Sequence, residues 1–126
     1  MKSLTLFILL ALAAPLSWGE DVYYCVEEES VTLEPTDSGD AYELVRYKLD
    51  KFTLKYEAAS NRLAIKGASW AGDEPFYIDC DACQANLGRF WAGDPDNAFA
   101  LKDGRFNYAA AYSFKARMKT GTCTKF

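Results

Sequence analysis

Two regimes of hydrophobic patterning divide the chain. Residues 4–16 are almost unbroken apolar sequence, Leu-Thr-Leu-Phe-Ile-Leu-Leu-Ala-Leu-Ala-Ala-Pro-Leu. Beyond Glu20 no such run recurs, and short stretches alternate between apolar and polar positions. The first run is too short for a bilayer core, which needs about 20 apolar residues. Lys2 precedes it, and the small residues Ser17 and Gly19 come after it. That order is the grammar of a cleavable signal peptide over residues 1–19. The mature chain, 20–126, is expected to be a single secreted domain, periplasmic or extracellular, with no membrane contact after the leader is removed.

The second regime reads as strands punctuated by turns. Residues 22–29 are β-rich, with Val22, Tyr24 and Val26 on one face. Residues 30–41 read as a polar, acidic loop around Pro35, Ser38 and Gly39. Residues 42–49 alternate imperfectly. Residues 51–57 alternate cleanly, Phe52, Leu54 and Tyr56 against Lys51, Thr53, Lys55 and Glu57. That is a strand with one buried and one wet face. Residues 62–66 return as its hairpin partner, with Leu63 and Ile65 inward. Residues 76–80 form another strand, and residues 83–88 suit a helical turn. Residues 89–92 carry Phe90 and Trp91. Gly-Asp-Pro-Asp-Asn at 93–97 is a turn signal. Asp103-Gly104 is the best short hairpin turn in the chain, between 98–102 and 105–114. The alanine-rich stretch 107–114 allows a helix, but its aromatic spacing fits period two better. Residues 118–126 close the chain as a last strand. The expected fold is all-β, a small antiparallel barrel or sandwich of about 7–8 strands. No crossover helix is available for a parallel sheet.

Four cysteines, Cys25, Cys80, Cys83 and Cys123, all lie in the mature chain. An even count in an exported chain reads as disulfides. Three pairings are open, and Cys25–Cys123 with Cys80–Cys83 is the favoured one. A Cys25–Cys123 bond would close a loop worth about 4.7 kcal/mol in the chain-entropy account. The C-x-x-C spacing of Cys80-Asp81-Ala82-Cys83 also raises a redox role. Thiol exchange needs a depressed thiol pKa, and the flanking Asp79 and Asp81 work against one. Zinc held by the four thiolates is a further alternative, disfavoured in an oxidising compartment.

Charge and composition then narrow the chemistry. Eighteen acidic residues outnumber fourteen basic ones, for a net charge of −4. That balance argues against nucleic acid, whose affinity rests on Lys and Arg neutralising phosphates, and it permits a cationic partner. The chain contains no histidine. The usual general base near neutral pH and the commonest metal ligand are therefore missing. No catalytic residue, cofactor or metal site is expected. Asp94, Asp96 and Asn97 have calcium-like spacing, but no distal glutamate completes a loop, so a polar turn is the reading.

The motifs themselves carry two likenesses. Tyr24-Cys25 opens the mature chain, and Gly-Thr-Cys-Thr-Lys-Phe at 121–126 ends it. Between them stand Phe-Thr-Leu-Lys at 52–55, Phe-Tyr-Ile-Asp-Cys at 76–80 and Asp-Gly-Arg-Phe at 103–106. This resembles a group of short bacterial exported proteins with an aromatic-x-Cys start and a Gly-Thr-Cys-x-Lys-Phe end. The resemblance implies export and a compact β fold, and no biochemical role comes with it. Ser38-Gly39-Asp40-Ala41-Tyr42 is similar to the S-G-x-x-Y loop of periplasmic C-type lysozyme inhibitors, small β-barrels whose loop enters the lysozyme cleft. In that family an aromatic, glycine-containing stretch comes soon after the loop. Here Phe90-Trp91-Ala92-Gly93 comes almost fifty residues later.

Three function classes remain open. The first is a non-enzymatic exported binding domain for an unknown protein or small ligand. The second is an inhibitor of a cationic lysozyme-type glycosidase. The third is a thiol–disulfide or metal-binding protein using Cys80 and Cys83. Candidate binding residues are Ser38, Gly39 and Tyr42, together with Trp70 and Trp91, which sit beside turn glycines. Export makes the first testable prediction. Expression with the leader intact is expected to give a mature protein whose intact mass and N-terminal sequence begin at Glu20.

Overall fold

The structure, a computed structural model, describes residues 21–112 and 114–126. The expected leader lies outside them. The described residues are all-β, so that expectation holds, and of its two forms the barrel is the one adopted. The strands are β1 (Val22–Pro35), β2 (Tyr42–Arg46), β3 (Lys51–Glu57), β4 (Arg62–Lys66) and β5 (Phe76–Gln84). They continue as β6 (Arg89–Gly93), β7 (Asn97–Lys102), β8 (Arg105–Tyr112) and β9 (Lys115–Lys125). A single 3₁₀ turn, Ala85–Leu87, is the helical turn anticipated near residues 83–88.

Every pairing is antiparallel, and the order is β2-β1-β3-β4-β5-β6-β7-β8-β9. A further β1–β9 pairing closes the sheet on itself. The barrel proper has eight strands, and β2 is an extra one. It lies beside the second half of β1, where β3 flanks the first half.

Period-two alternation builds the core. Phe52, Leu54, Leu63, Ile65 and Ile78 point inward and are almost fully buried. Phe90, Phe99, Leu101 and Phe106 fill the rest. Phe106 meets Phe52 edge-on at 5.2 Å and stacks on Phe99 at 5.7 Å. Each such side chain stabilises the fold by about 1.5–3 kcal/mol on burial. The β3–β4 hairpin and the Asp103-Gly104 hairpin form where the sequence places them. Asp103 and Gly104 take φ of 52° and 76°, the positive values that a two-residue hairpin turn requires. The 105–112 segment is strand, because Phe106 and Tyr108 reach the core only at period two.

Two expectations are corrected. Residues 30–35 are strand rather than loop, since β1 runs on to Pro35. β5 continues to Gln84 through a bulge between Cys80 and Ala82. On β1, Val22, Tyr24 and Val26 do share one face; it is the outer one, and Tyr23, Cys25 and Glu27 face inward.

A bulge divides β1 into two halves of opposite phase. The β1–β9 register shifts between Glu27 and Glu29. The extra residue reverses the alternation, so Ser30 and Thr32 continue the inner face and Val31 and Leu33 turn outward. β9 passes this bulge at Gly121. A Cβ there would overlap the Val26 carbonyl oxygen and stand 2.7 Å from Phe106. Backbone cannot yield as a flexible side chain does. Gly121→Ala is therefore expected to cost more than about 2 kcal/mol in urea unfolding. An unchanged midpoint would show that the bulge relaxes around a methyl group.

Candidate functional site

The bulge leaves a polar cluster at one end of the barrel interior. Glu27 and Lys119 are 1% and 4% exposed. Lys119 Nζ donates to Glu27 Oε1 at 3.1 Å and to Ser30 Oγ at 2.6 Å. Glu27 Oε2 accepts the indole N–H of Trp70 at 3.0 Å. Trp70 stacks on Tyr108 at 4.7 Å and meets Phe52 edge-on. It therefore packs inward and plugs the barrel end. Asp50 caps the same region, accepting Ser69 N–H at 2.5 Å and Ser69 Oγ–H at 2.6 Å. Burial pushes the Asp50 carboxyl up, but these bonds outweigh it and hold the group below the usual carboxylate range. Burial also raises the Tyr108 phenol to about 12, and that hydroxyl donates to Asn97 Oδ1. Lys119 has its charge matched by Glu27, which makes this cluster an internal clamp.

The outer face behaves differently. Around β3, β4 and β5 it is laced with charge. Arg62 pairs with Glu57 at 2.8 Å and lies over the Tyr77 ring. Around β6 to β9 and onto β1 and β2 the same face is apolar. The register lays out the rows. Leu44 faces Leu33, Leu33 faces Ala116, and Ala116 faces Ala111. Below them run Val31, Met118, Ala109 and Ala98, and lower still Asn107, Ala100 and Trp91. Leu33, Leu44, Met118 and Trp91 are 44%, 57%, 56% and 60% exposed. The alanines form a floor between these larger side chains. A groove of about 490 Å³ results, with Leu33 and Leu44 at one side and the turn 94–97 at the other. A second depression of about 380 Å³ carries Trp91 and shares Ala98, Ala109 and Met118 with the first.

The groove has an acidic end. Asp94 accepts bonds from the backbone N–H of Asp96 and Asn97, both at 2.8 Å. Burial opposes ionisation there, yet the bonds prevail and the carboxyl sits below its ordinary range. The oxygen-rich sequence at 94–97 is thus a self-bonded polar turn. Arg117, the one cation among the described groove-lining residues, donates to the Tyr112 hydroxyl.

Ser38, Gly39 and Tyr42 lie at the exposed tip of the β1–β2 hairpin. Gly39 has φ of 75°, its N–H donates to Thr36 O, and Ser38 Oγ–H donates to Asp40. Alternation puts Tyr42 on the same face as Leu44. The structure thus brings Tyr42 and Trp91 onto one apolar face and sends Trp70 into the interior. Cys25 bonds to Cys123 across the β1–β9 seam, and Cys80 bonds to Cys83 across the β5 bulge. No cysteine among the described residues is free, so thiolate ligation of zinc has no ligands in this state.

Leu33, Leu44, Met118 and the outward alanines escape a reading from sequence. The available signal was Ser30-Val31-Thr32-Leu33, whose alternation is plain but whose phase the bulge inverts. No protein-family model, curated protein or solved structure matches the chain.

The interior clamp makes its own prediction. Lys119→Met leaves Glu27 buried without its cation and is expected to cost about 3–5 kcal/mol in urea unfolding. Adding Glu27→Gln should recover part of that loss, with a coupling above about 1 kcal/mol in the double-mutant cycle.

Proposed function

We propose that the chain is an exported, non-catalytic binding domain. Its ligand is a segment of a partner protein that is apolar along its length and positively charged at one end. The observation that carries this reading is the alanine-floored outer groove. Soluble monomers rarely leave large contiguous apolar patches uncovered, and those they leave mark contact sites. Here the patch crosses six neighbouring strands and holds four large side chains, each at least 44% exposed. Asp94 and Asp96 at its end favour a cation there, and the net charge of −4 would steer such a partner inward. Export is supported by the signal-like first nineteen residues and by a disulfide-bonded fold. Among the described residues no helix is long and apolar enough to cross a membrane.

A second reading has one observation in its favour. Residues 38–42, the stretch similar to the lysozyme-inhibitor loop, stand exposed at a hairpin tip. A protruding, internally bonded loop is the shape an inhibitor needs.

Two experiments separate these readings. A synthetic peptide of about ten residues, Leu and Ala along its length and two Lys at one end, should bind saturably and shift Trp91 emission to the blue. Met118→Glu should weaken that binding by at least about tenfold. The same peptide with Glu in place of its terminal Lys residues should bind much more weakly. Absence of saturable binding, or a Met118→Glu variant that binds as well, would sink the groove reading. Lysozyme assayed with and without the domain at about micromolar concentration decides the second reading.

A further inference from the structure

Closing eight strands into a barrel removes sheet edges, and β2 brings one back. Among the described residues it pairs with β1 on one side only. Its neighbours reveal which way its backbone groups point. Tyr47 N–H donates to Ser30 O, and Thr36 N–H donates to Ala41 O. Carried along the register, this makes Thr32–Val45 and Glu34–Glu43 the hydrogen-bonded pairs. Tyr42, Leu44 and Arg46 therefore aim their N–H and C=O groups at the open edge. Natural edges are guarded by short length, charged side chains (lysine above all), proline, a bulge or a covering loop. Tyr-Glu-Leu-Val-Arg has no lysine and no proline; of its two charges, Arg46 is paired with Glu29 of β1, which leaves Glu43. Tyr42 and Leu44 are 58% and 57% exposed.

We propose that β2 is a homodimerisation edge, two copies adding β2 to β2 antiparallel about a twofold axis through Leu44. The sequence around β2 is complementary to itself in this register. Leu44 of one copy faces Leu44 of the other, and Tyr42 faces Arg46 on both sides of the axis. Every outward N–H and C=O of these residues then finds a partner. The opposing Arg46, paired with Glu29 at 2.6 Å in the single chain, comes alongside the Tyr42 ring. Glu43 faces Val45, so no like charges stand directly opposite. One residue beyond the Thr36–Ala41 closing pair, the register brings Asp40 of one copy beside Lys48 of the other. Both are exposed in the single chain. The twofold repeats this acid-to-base match. An unrelated strand would satisfy the backbone but would not supply this charge pattern, which singles out a second copy as the occupant.

Strand addition alone buries less than a standard interface, so the expected dissociation constant is on the order of 10–100 µM. Sedimentation velocity of the disulfide-intact protein from about 1 to about 300 µM should pass from monomer to dimer, more weakly at high salt. Asp40→Lys and Lys48→Asp should each weaken the dimer by at least about tenfold, and the double exchange should restore it. Leu44→Pro removes an outward N–H and should give a monomer. The charge exchange keeps the test decisive even if that variant folds poorly. Met118→Glu, directed at the groove, should leave the dimer intact, so the two proposals fail independently. A monomer at every concentration overturns the inference, as does a dimer indifferent to the Asp40 and Lys48 changes or not restored by exchanging them.

Discussion

The pairing of the first strand with the last is what everything else here depends on. Without the β1–β9 ladder the remaining strands would be an open sheet whose inward residues face water on one side. With it, aromatic and aliphatic side chains from around the barrel share one interior. Three kinds of contact reinforce the seam. Cys25 and Cys123 face each other in register and are bonded. Glu27 and Lys119 form a buried charge pair beside them. Gly121 lets the backbones pass where the β1 bulge presses closest. These contacts bring together residues nearly a whole chain apart, the kind of pairing that slows folding because loop closure precedes its reward.

The bulge that complicates the seam also produces the surface of interest. Before it, β1 buries Tyr23 and Cys25 in the ordinary way. After it, β1 buries Ser30 and Thr32 and turns Val31 and Leu33 outward. Thr32 Oγ1 is buried without a hydrogen-bond partner among the described residues. Such an arrangement adds nothing to the stability of an isolated chain, since it hides polar groups and exposes apolar ones. A surface kept for contact has a reason to look this way.

The fold was largely legible because β3, β4 and β8 obey simple alternation and because Asp103-Gly104 names its own turn. The strands that escaped are those where alternation is interrupted. Residues 30–35 resembled the start of a loop because the bulge puts Val31 and Leu33 out of phase with the strand before it, and nothing in three consecutive glutamates marks Glu27 as buried against a lysine 92 residues away. The site was much less legible. Trp91 stood out by residue type and does lie on the apolar face. Trp70 stood out equally and is a core residue tied to Glu27. Alanine carries almost no sign of which way it faces, so the groove floor was invisible until the register placed Ala98, Ala109, Ala111 and Ala116 side by side.

The Cys25–Cys123 bond spans a sequence separation of 98 residues. Backbone and disulfide together therefore form a covalent ring that takes in nearly all of the barrel. A protease that cuts the hairpin tip at 36–41 or the turn at 94–97 opens this ring without releasing a fragment. The new ends remain held in the same sheet, and the molecule becomes in effect a circular permutant of itself. Dismantling it by proteolysis demands two cuts, or reduction of the clasp before the first.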